Sequence, residues 1–217
     1  MSKEQKLIEK DGLKVVGETL AKNFGSAILS VKIALDELSV HVETSEIQKV
    51  LVFLRDDINC QFKLLMELCG VDYPERENRF EVVYCLLSLS RNIRLKIRVS
   101  ANERIPVPSV AGVFSSAGWW EREVWDLFGI FFSGHPDLRS ILSDYGFEGH
   151  PLRKDFPLTG YVEVRYDDSQ KRVVYEPVSL TQEFRDFDFM SPWEGIQKVL
   201  PGDEKAIDVA DKSSKGD

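Results

Sequence analysis

The spacing of apolar residues predicts a helix at the start of the chain and a strand hairpin after it. The apolar residues that recur at roughly helical spacing between Lys3 and Asn23 are Leu7, Ile8, Val15, Val16 and Leu20. Partial alternation over residues 27–35 and the run LSVHV over residues 38–42 predict two strands. The short connection at Asp36 and Glu37 is typical of a tight turn.

A second helix is predicted after the hairpin, beginning at Thr44 or Ser45. Ser45 and Gln48 have the spacing of a capping box, in which each side chain bonds a backbone N–H of the first turn. The apolar stripe that this helix should bury consists of Ile47, Val50, Leu51 and Leu54.

Three further strands are predicted over residues 63–73, 80–88 and 94–99. In the last of them, apolar residues alternate with the polar residues Lys96 and Arg98. One sheet face should therefore be exposed to solvent or covered by polar groups. Strand runs joined by short polar turns favour a mixed or antiparallel sheet over a doubly wound parallel one. The pattern therefore predicts an α+β fold: a two-layer domain with helices mainly on one face.

The regular spacing of apolar and polar residues ends beyond Ile105, where prolines interrupt it. A short helix is predicted over residues 109–114, and a better one over residues 116–128, ended by Gly129. The residues that share one face of the second helix are Ala117, Trp120, Val124 and Phe128.

The chain is predicted to have three parts. Residues 1–132 form the α+β domain, residues 133–200 form an extended, irregular docking segment, and residues 201–217 form a disordered tail. Within the second part, residues 162–166 and 172–175 predict a late hairpin. We expect residues beyond Phe132 to be more mobile than the sheet in the isolated chain, because irregular backbone gains little from its own hydrogen bonds.

Charge and composition exclude several classes of protein. The net charge is −8, from 36 acidic and 28 basic residues, which argues against binding to nucleic acid. No apolar run approaches the ~20 residues of a membrane helix, and the polar start does not resemble a secretory signal or an organellar presequence. Three cysteines at irregular spacing argue against a disulfide framework and against an iron–sulfur or zinc site made by this chain alone.

Two histidines are the candidates for metal chemistry. His135 and His150 each stand in a Gly-His-Pro triplet, with carboxylates nearby, but their spacing matches no common ligand pattern. The alternative is that they bond loop backbone or a partner. GxSxG, GxGxxG and the phosphate-binding loop pattern do not occur, so a serine hydrolase or a nucleotide site is not indicated.

Charged and aromatic residues cluster around the helix at residues 116–128. Arg122 precedes Asp126 by four residues, and Glu121 and Glu123 lie beside it, which is typical of a solvated or interfacial helix face. Trp119 is about 100° around the helix from Trp120, which should face the sheet. Because tryptophan is enriched at binding hot spots, Trp119 is a candidate for a partner surface, with a large local core as the alternative.

These residues carry a resemblance to a known family. The runs Glu121-Arg122-Glu123, Asp126-Leu127-Phe128 and Arg139-Ser140-Ile141-Leu142, together with His135, resemble the signature of the thirty-kilodalton subunit of respiratory complex I, the C subunit of NADH–quinone oxidoreductase. The stretches DYGFEGHPLRKDFPLTGYVEVRYD and FRDFDFMSPWEG continue the resemblance.

The resemblance implies a structural subunit in the hydrophilic arm of a proton-pumping complex that passes electrons from NADH to quinone. It implies no catalytic residue and no cofactor in this chain, because FMN and the iron–sulfur clusters lie in partner subunits. The implied partners are the quinone-reducing D subunit and the terminal-cluster B subunit, with membrane association only through the complex. The implied location is the cytoplasmic side of the bacterial inner membrane, or the matrix side for an organelle-encoded chain.

Two alternatives stay open at this point: a scaffold subunit of a membrane-bound hydrogenase-type complex, and a free-standing metal-dependent hydrolase that uses His135 and His150. Under the favoured interpretation, Tyr145, Phe147, Phe156 and Trp193 are anchors for a partner. Arg139, Arg153 and Lys154 then make charged contacts at the core or rim. The other interface candidates are Trp119, Glu121, Arg122, Glu123, Asp126, His135 and His150.

Overall fold

The computed structural model describes residues 3–35 and 37–182, with side chains from Gly12 onward. Trp193 and the predicted tail at residues 201–217 therefore lie outside the described residues. The chain divides into two compact units, Met1–Val178 and Ser179–Asp217, and all the helices and strands described below belong to the first. The predicted boundaries at residues 132 and 200 stay predictions.

The described elements follow the predicted order closely. The helices are α1 (Lys3–Asn23), α2 (Ile47–Asp56) and α3 (Ala117–Phe128). The strands are β1 (Ile28–Ala34), β2 (Glu37–Val42), β3 (Leu64–Asp72), β4 (Phe80–Ser88), β5 (Ile93–Ala101), β6 (Val107–Pro108), β7 (Phe132–Ser133), β8 (Val162–Asp167) and β9 (Arg172–Pro177). The two predicted hairpins, β1–β2 and β8–β9, are confirmed.

A five-stranded mixed sheet forms the centre of the fold, in the order β1-β2-β5-β4-β3. The pair β2–β5 is parallel, whereas the other neighbours are antiparallel. Two small additional sheets join β6 to β7 and β8 to β9. The prediction of an α+β domain with a mixed sheet is confirmed.

One face of this sheet is buried beneath the helices. Alternate residues of β5, such as Leu95 and Ile97, are buried, while Lys96 and Arg98 point to the other face and stay half-buried. Buried residues from all three helices share the core with the sheet; they are Leu13, Val16, Leu20, Val50, Leu51, Leu54, Ala117 and Val124. The helices therefore lie mainly on one face, as the alternation predicts.

Gly70 of β3 allows α3 to approach the sheet closely. A Cβ atom at this position would come within 2.9 Å of the Phe128 ring and 3.2 Å of Val124. The absence of a side chain at Gly70 thus allows the close packing of α3 on β3.

The predicted capping box of α2 is wrong. A short 3₁₀ turn over Thr44–Glu46 precedes the helix, and Glu46 stands at the N-cap without a side-chain bond to the first turn. The Thr44 hydroxyl instead donates to the Ser100 carbonyl at 2.6 Å, and the Gln48 amide donates to the Ser109 carbonyl at 2.6 Å. Tertiary acceptors have displaced the local motif, although the predicted stripe Ile47, Val50, Leu51 and Leu54 is buried.

The predicted short helix over residues 109–114 is a single turn closed by the Phe114 N–H on the Val110 carbonyl at 2.9 Å. The N–H of Val110 bonds to a side chain of α3 rather than to its own backbone. In contrast, α3 begins and ends as predicted, and Gly129 terminates it with a left-handed φ of 77°.

The three cysteines are free thiols, as predicted, and burial raises the pKa of both Cys60 and Cys69 to about 11. Among the described helices, none combines the length and the apolar character needed to cross a bilayer.

Candidate functional site

The first charged residue of α3, Glu121, lies fully buried and binds the chain that precedes the helix. Its carboxylate accepts hydrogen bonds from the Ser109 hydroxyl and the Val110 N–H, each at 2.6 Å. Burial raises the pKa of Glu121, although these two hydrogen bonds and nearby His135 oppose the rise. Glu121 therefore fastens the single turn at residues 109–114 to α3.

His135 holds the loop after β7 against the start of the same helix. Its Nδ1 accepts the Asp137 N–H at 3.0 Å, so the proton of a neutral ring is on Nε2, which donates to the Gly118 carbonyl at 2.9 Å. The same Nε2 is 3.9 Å from a Glu121 carboxylate oxygen, and the two side chains are only 2% and 0% exposed. His135 is thus a structural histidine with both ring nitrogens bonded to the chain.

Asp126, one turn further along α3, gathers a surface loop around its carboxylate. Three backbone N–H groups donate to it, from Ile141 at 3.1 Å and from Leu142 and Ser143 at 2.9 Å. The hydroxyls of Ser140 and Ser143 add bonds of 2.9 and 2.8 Å. Burial alone acts to raise the pKa of Asp126, but the donors outweigh it and hold this pKa well below its usual range.

Arg122 completes this arrangement by bonding the carbonyls of the same loop. Its guanidinium donates to the Arg139 and Ser140 carbonyls, both at 3.1 Å. Arg122, Glu121 and Asp126 are all buried, so the predicted solvated or interfacial helix face is wrong for these three residues. Buried charge is costly unless it is fully bonded, and the loop backbone supplies those bonds here. Glu123 is half-buried.

The C-terminal end of α3 is capped by residues far along the chain. His150 Nδ1 donates to the Asp126 carbonyl at 2.9 Å, the Leu152 N–H to the Leu127 carbonyl at 3.1 Å, and Arg153 Nε to the Phe128 carbonyl at 2.7 Å. These carbonyls have no partners within the helix. The positive charge of Arg153 also complements the negative end of the helix dipole.

A last polar connection joins the chain after Arg153 to the β3–β4 hairpin. Asp72 accepts both the Lys154 N–H at 2.7 Å and the Arg79 guanidinium at 2.7 and 2.8 Å. Arg79 also binds Asp155 at 2.7 and 3.0 Å. The hydrogen bonds of Asp72 to Arg79 and Lys154 lower the pKa of this carboxyl despite its burial.

Residues 139–156, which we call the anchored segment, are therefore attached to the α+β domain by polar groups. The irregular backbone of this segment therefore gains hydrogen bonds from the α+β domain in addition to its own, and the expected mobility beyond Phe132 stays a prediction. The donors and acceptors come from α3, β3 and the β3–β4 turn, none of which adjoins the segment in sequence.

Large apolar side chains of the anchored segment point away from the domain. Tyr145 is 98% exposed, and Leu142 and Phe147 are 64% and 46% exposed. Phe156 is half-buried, with its ring centroid 6.0 Å from that of Phe147 and 5.6 Å from that of Tyr161. The segment thus exposes large apolar side chains while several of its polar groups bond to the domain.

The β8–β9 hairpin continues this apolar surface. Its register places Val164 opposite Tyr175 and Tyr166 opposite Val173, and all four side chains are more than half exposed. The opposite face carries Glu163, Arg165, Asp167, Arg172 and Glu176, with an ion pair between Arg165 and Glu176 at 2.8 Å. Tyr175 also donates to Asp144 at 2.5 Å, which joins the hairpin to the anchored segment.

Most of the sequence-predicted interface residues fall into two groups, while Glu123 and Phe156 are half-buried and belong to neither. Glu121, Arg122, Asp126, His135, His150 and Arg153 bind the chain's own backbone. The exposed group consists of Trp119, Arg139, Tyr145, Phe147 and Lys154. Trp119 is 63% exposed, with the Arg122 guanidinium 5.0 Å from its ring centroid.

Sequence reasoning missed Asp72 and Arg79, which bond to Lys154 and Asp155 of the anchored segment. They stand at the ends of the β3–β4 turn, and an opposite-charge pair across a hairpin mouth is a signal that could have found them. It could not have shown that the pair also binds Lys154 and Asp155.

The geometry does not favour a metal site at His135 and His150, because they bond different carbonyls of α3, those of Gly118 and Asp126. Within residues 3–35 and 37–182, no three histidine, cysteine or acidic side chains are grouped as ligands for a metal ion.

Fold and site together define a class: an α+β domain whose most distinctive segment is fixed by polar contacts and presents apolar side chains outward. The family described as "Respiratory-chain NADH dehydrogenase, 30 Kd subunit" matches residues 40–162, from β2 to the start of β8. The chain belongs to this family.

Similar proteins of known name agree with this assignment. Proteins named as the C subunit of NADH-quinone oxidoreductase from Methylobacterium sp. (strain 4-46) and Paramagnetospirillum magneticum are each 61% identical, over 89% of this chain and 90% and 98% of their own lengths. The protein of that name from Rhodospirillum rubrum is 60% identical over 90% of this chain and 94% of its own length.

One solved structure is similar in fold. A chain of the membrane-bound sulfane sulfur reductase, an archaeal respiratory membrane complex, superposes with a TM-score of 0.57 at 25% identity. The superposition covers 68% of this chain and 86% of the other.

Proposed function

We propose that this chain is a structural subunit of the peripheral arm of a proton-pumping NADH:quinone oxidoreductase, and that it carries no catalytic residue or redox cofactor. It braces the quinone-reducing module while electrons pass from NADH through FMN and iron–sulfur clusters of other subunits to quinone. Its principal partners are the quinone-reducing D subunit and the terminal-cluster B subunit. It reaches the cytoplasmic face of the inner membrane through them.

Family membership supports the coarser part of this proposal. As a member of the 30 Kd subunit family, the chain is one subunit of a respiratory NADH dehydrogenase, and other subunits of such a complex are its partners. The bracing role and the choice of the D and B subunits rest on the resemblance and on the surface described above.

The observation that carries the proposal is the exposure of apolar side chains on the anchored segment and on one face of the β8–β9 hairpin, which the Tyr175–Asp144 hydrogen bond joins. Val164, Tyr166, Val173 and Tyr175 leave one hairpin face uncharged and more than half exposed. An isolated two-stranded hairpin is only marginally stable in water, and each large apolar side chain gains ~1.5–3 kcal/mol on full burial. A permanent partner surface of ~2,000–5,000 Å² supplies that burial.

The test compares the two faces of β8 in the full chain, produced in a bacterium that lacks its own C subunit. Val164→Ser with Tyr166→Ser removes apolar groups from the exposed face, and Glu163→Ser with Arg165→Ser makes a matched change on the charged face. For the first variant, we expect the yield of assembled complex from detergent-solubilised membranes to fall at least fivefold. The NADH:quinone reductase activity should fall in parallel. The second variant should assemble normally.

Equal recovery of the two variants contradicts a docking role for the apolar face. The absence of redox chemistry is checked separately on the purified chain, by its iron and flavin content and by its rate of NADH oxidation. Stoichiometric iron or flavin, or turnover of NADH by the chain alone, contradicts the structural role.

A second candidate is the alternative left open by the sequence, a scaffold subunit of a membrane-bound hydrogenase-type complex, and the fold likeness to a chain of another respiratory membrane complex is compatible with it. The relatives at about 60% identity favour the NADH:quinone form. Co-purification decides between the two, since a hydrogenase-type complex contains no NADH-oxidising flavoprotein.

A further inference from the structure

We propose that Asp126 is a positioning residue that gives the anchored segment its partner-binding shape before any partner arrives. This inference rests on the proposed function, because it concerns the same surface and explains how that surface is prepared. It assigns to a buried carboxylate the task of organising exposed apolar side chains.

The number and origin of the donors to Asp126 are the first ground for this inference. Three consecutive backbone N–H groups, from residues 141–143, converge on one carboxylate and are joined by the hydroxyls of Ser140 and Ser143. A surface loop ordinarily leaves such groups to water. Here they are all turned inward, so the backbone of the loop has a fixed orientation relative to α3.

The second ground is what this orientation achieves at the surface. With the N–H of Leu142 turned toward Asp126, the Leu142 side chain is 64% exposed, and Tyr145, three residues later, is 98% exposed. Neither side chain joins the core shared by the sheet and helices. The hydrogen bonds therefore fix a loop that contributes apolar area to the outside.

The third ground is that the same residue connects to a second loop. The backbone carbonyl of Asp126 accepts His150 Nδ1 at 2.9 Å, while its side chain binds residues 140–143. Phe147 lies between these two attachment points and is 46% exposed. One residue of α3 thus fixes both ends of the stretch that presents Leu142, Tyr145 and Phe147.

Pre-organisation has a kinetic consequence that distinguishes it from general stabilisation. If the free loop samples many shapes, the partner binds only the competent fraction, and apparent affinity falls by that fraction. A loop variant whose bound state is unchanged then associates more slowly but dissociates at a similar rate. A change that merely weakens contacts in the complex acts mainly on the dissociation rate.

The experiment uses the full chain and the purified complex from a strain that lacks the C subunit. In Asp126→Asn, the amide nitrogen cannot accept a hydrogen bond and the charge is lost, so we expect the association rate constant to fall about tenfold or more while the dissociation rate constant changes less than twofold. Asp56→Asn is the matched control, since Asp56 is an exposed carboxylate at the end of α2, paired with Arg55 at 2.7 Å.

Amide hydrogen exchange on the isolated chain gives an independent readout. In the unaltered chain, the N–H groups of Ile141, Leu142 and Ser143 should be protected, and Asp126→Asn should remove that protection while the amides of β4 and β5 keep theirs. If Asp126→Asn fails to fold, Ser140→Ala with Ser143→Ala removes two of the five donors from the surface side, and the same directions of change are expected.

Each result bears on the proposal separately. Exchange of these three amides at equal rates in the unaltered chain and the Asn variant overturns it, and so do equal association rates. If the unaltered chain does not bind the complex at all, the proposed function fails, while hydrogen exchange still decides whether Asp126 orders the loop.

Discussion

At the scale of single residues, Glu121 is an example of a charged side chain that is buried within the fold. Its carboxylate is fully buried, with Ser109 and Val110 as donors and His135 Nε2 at 3.9 Å. Tyr84 of β4, also fully buried, is another titratable group beside it, and burial, then the Glu121 charge, raises the pKa of Tyr84. A fully buried carboxylate with two donors is ionised at a free-energy cost.

The first prediction concerns the pH dependence that this cost produces. Because burial raises the pKa of Glu121 in the folded chain, its contribution to stability is fully present below the ordinary pKa of ~4.3 and is lost as pH rises through the folded value. Glu121→Gln keeps both bonds, since its oxygen accepts from Val110 and its amide donates to the Ser109 hydroxyl.

We therefore expect Glu121→Gln to lose less unfolding free energy than the unaltered chain between about pH 4.5 and pH 7.5, measured by urea denaturation of the isolated chain. Glu123→Gln, a half-buried neighbour, is the control and should follow the unaltered chain. If the unfolding free energies of all three chains change with pH in parallel, the pH dependence does not come from ionisation of Glu121.

Sequence alone could indicate these residues but not their partners. The spacing of Glu121, Arg122 and Asp126 places them on a helix, and similar spacing usually produces exposed ion pairs. Their actual partners are backbone groups and serine hydroxyls of residues 109–110 and 139–143, which lie outside α3. No local pattern reports such contacts, so the solvated face that the pattern favours is wrong.

At the scale of elements, α3 is the connection between the sheet and the anchored segment. It packs on β3 at Gly70 and ends at Gly129, where φ is 77°. His150 and Arg153 then cover its last carbonyls. A Cβ atom at Gly129 would lie 2.5 Å from both His150 Nε2 and Arg153 Nη2, so the helix end and the segment share one space that only glycine leaves open.

The second prediction separates two contributions to the cost of replacing Gly129: the strain of a left-handed backbone and the clash with His150 and Arg153. Gly129 and Gly134 have the same φ of 77°, but a Cβ at Gly134 would meet no atom within 4 Å. Gly134→Ala should cost ~1 kcal/mol of unfolding free energy, the penalty of a left-handed backbone. Gly129→Ala should cost ~2–4 kcal/mol, because it also displaces His150 and Arg153.

Urea unfolding of the two variants measures the difference, and hydrogen exchange at the Leu152 N–H reports whether the segment has left the helix end. Equal costs for the two substitutions mean that the segment moves aside freely, which contradicts a tight attachment at Gly129.

The elements themselves could be predicted because their signals are local. Apolar periodicity indicated α3 and its end at Gly129, and alternation indicated β5, both within a residue or two. The capping box at Ser45 failed for the opposite reason, since Thr44 and Gln48 bond to Ser100 and Ser109, about 60 residues away. Local motifs compete with tertiary acceptors that sequence does not reveal.

At the scale of the whole described molecule, the α+β domain differs from the anchored segment and the β8–β9 hairpin in where apolar side chains lie. The sheet and helices bury a shared apolar core, whereas the anchored segment and the β8–β9 hairpin expose tyrosine, phenylalanine, leucine and valine. Exposed apolar side chains of this kind are typical of interaction sites, which agrees with membership in a family of respiratory-complex subunits. The aromatic density of this region was visible in sequence, and the predicted anchors Tyr145 and Phe147 are exposed, whereas Phe156 is half-buried.

The third prediction compares two adjacent tryptophans across this division. Trp120 packs against the core, whereas Trp119 is 63% exposed above the Arg122 guanidinium. Trp120→Ala should cost the isolated chain ~3 kcal/mol of unfolding free energy, as large aromatic truncations in cores do. Trp119→Ala should cost less than ~1 kcal/mol, the range of an exposed cation–π contact.

In binding to the complex that lacks the C subunit, Trp119→Ala should cost more than Trp120→Ala. An exposed tryptophan at a permanent interface is a frequent hot spot, and its truncation costs ~2 kcal/mol or more of binding free energy. A dissociation constant at least about tenfold higher for Trp119→Ala, with unchanged stability, places this side chain in the interface. If Trp119→Ala instead costs ~3 kcal/mol of unfolding free energy and leaves the dissociation constant unchanged, Trp119 belongs to the core, and the partner surface is confined to the anchored segment and the hairpin.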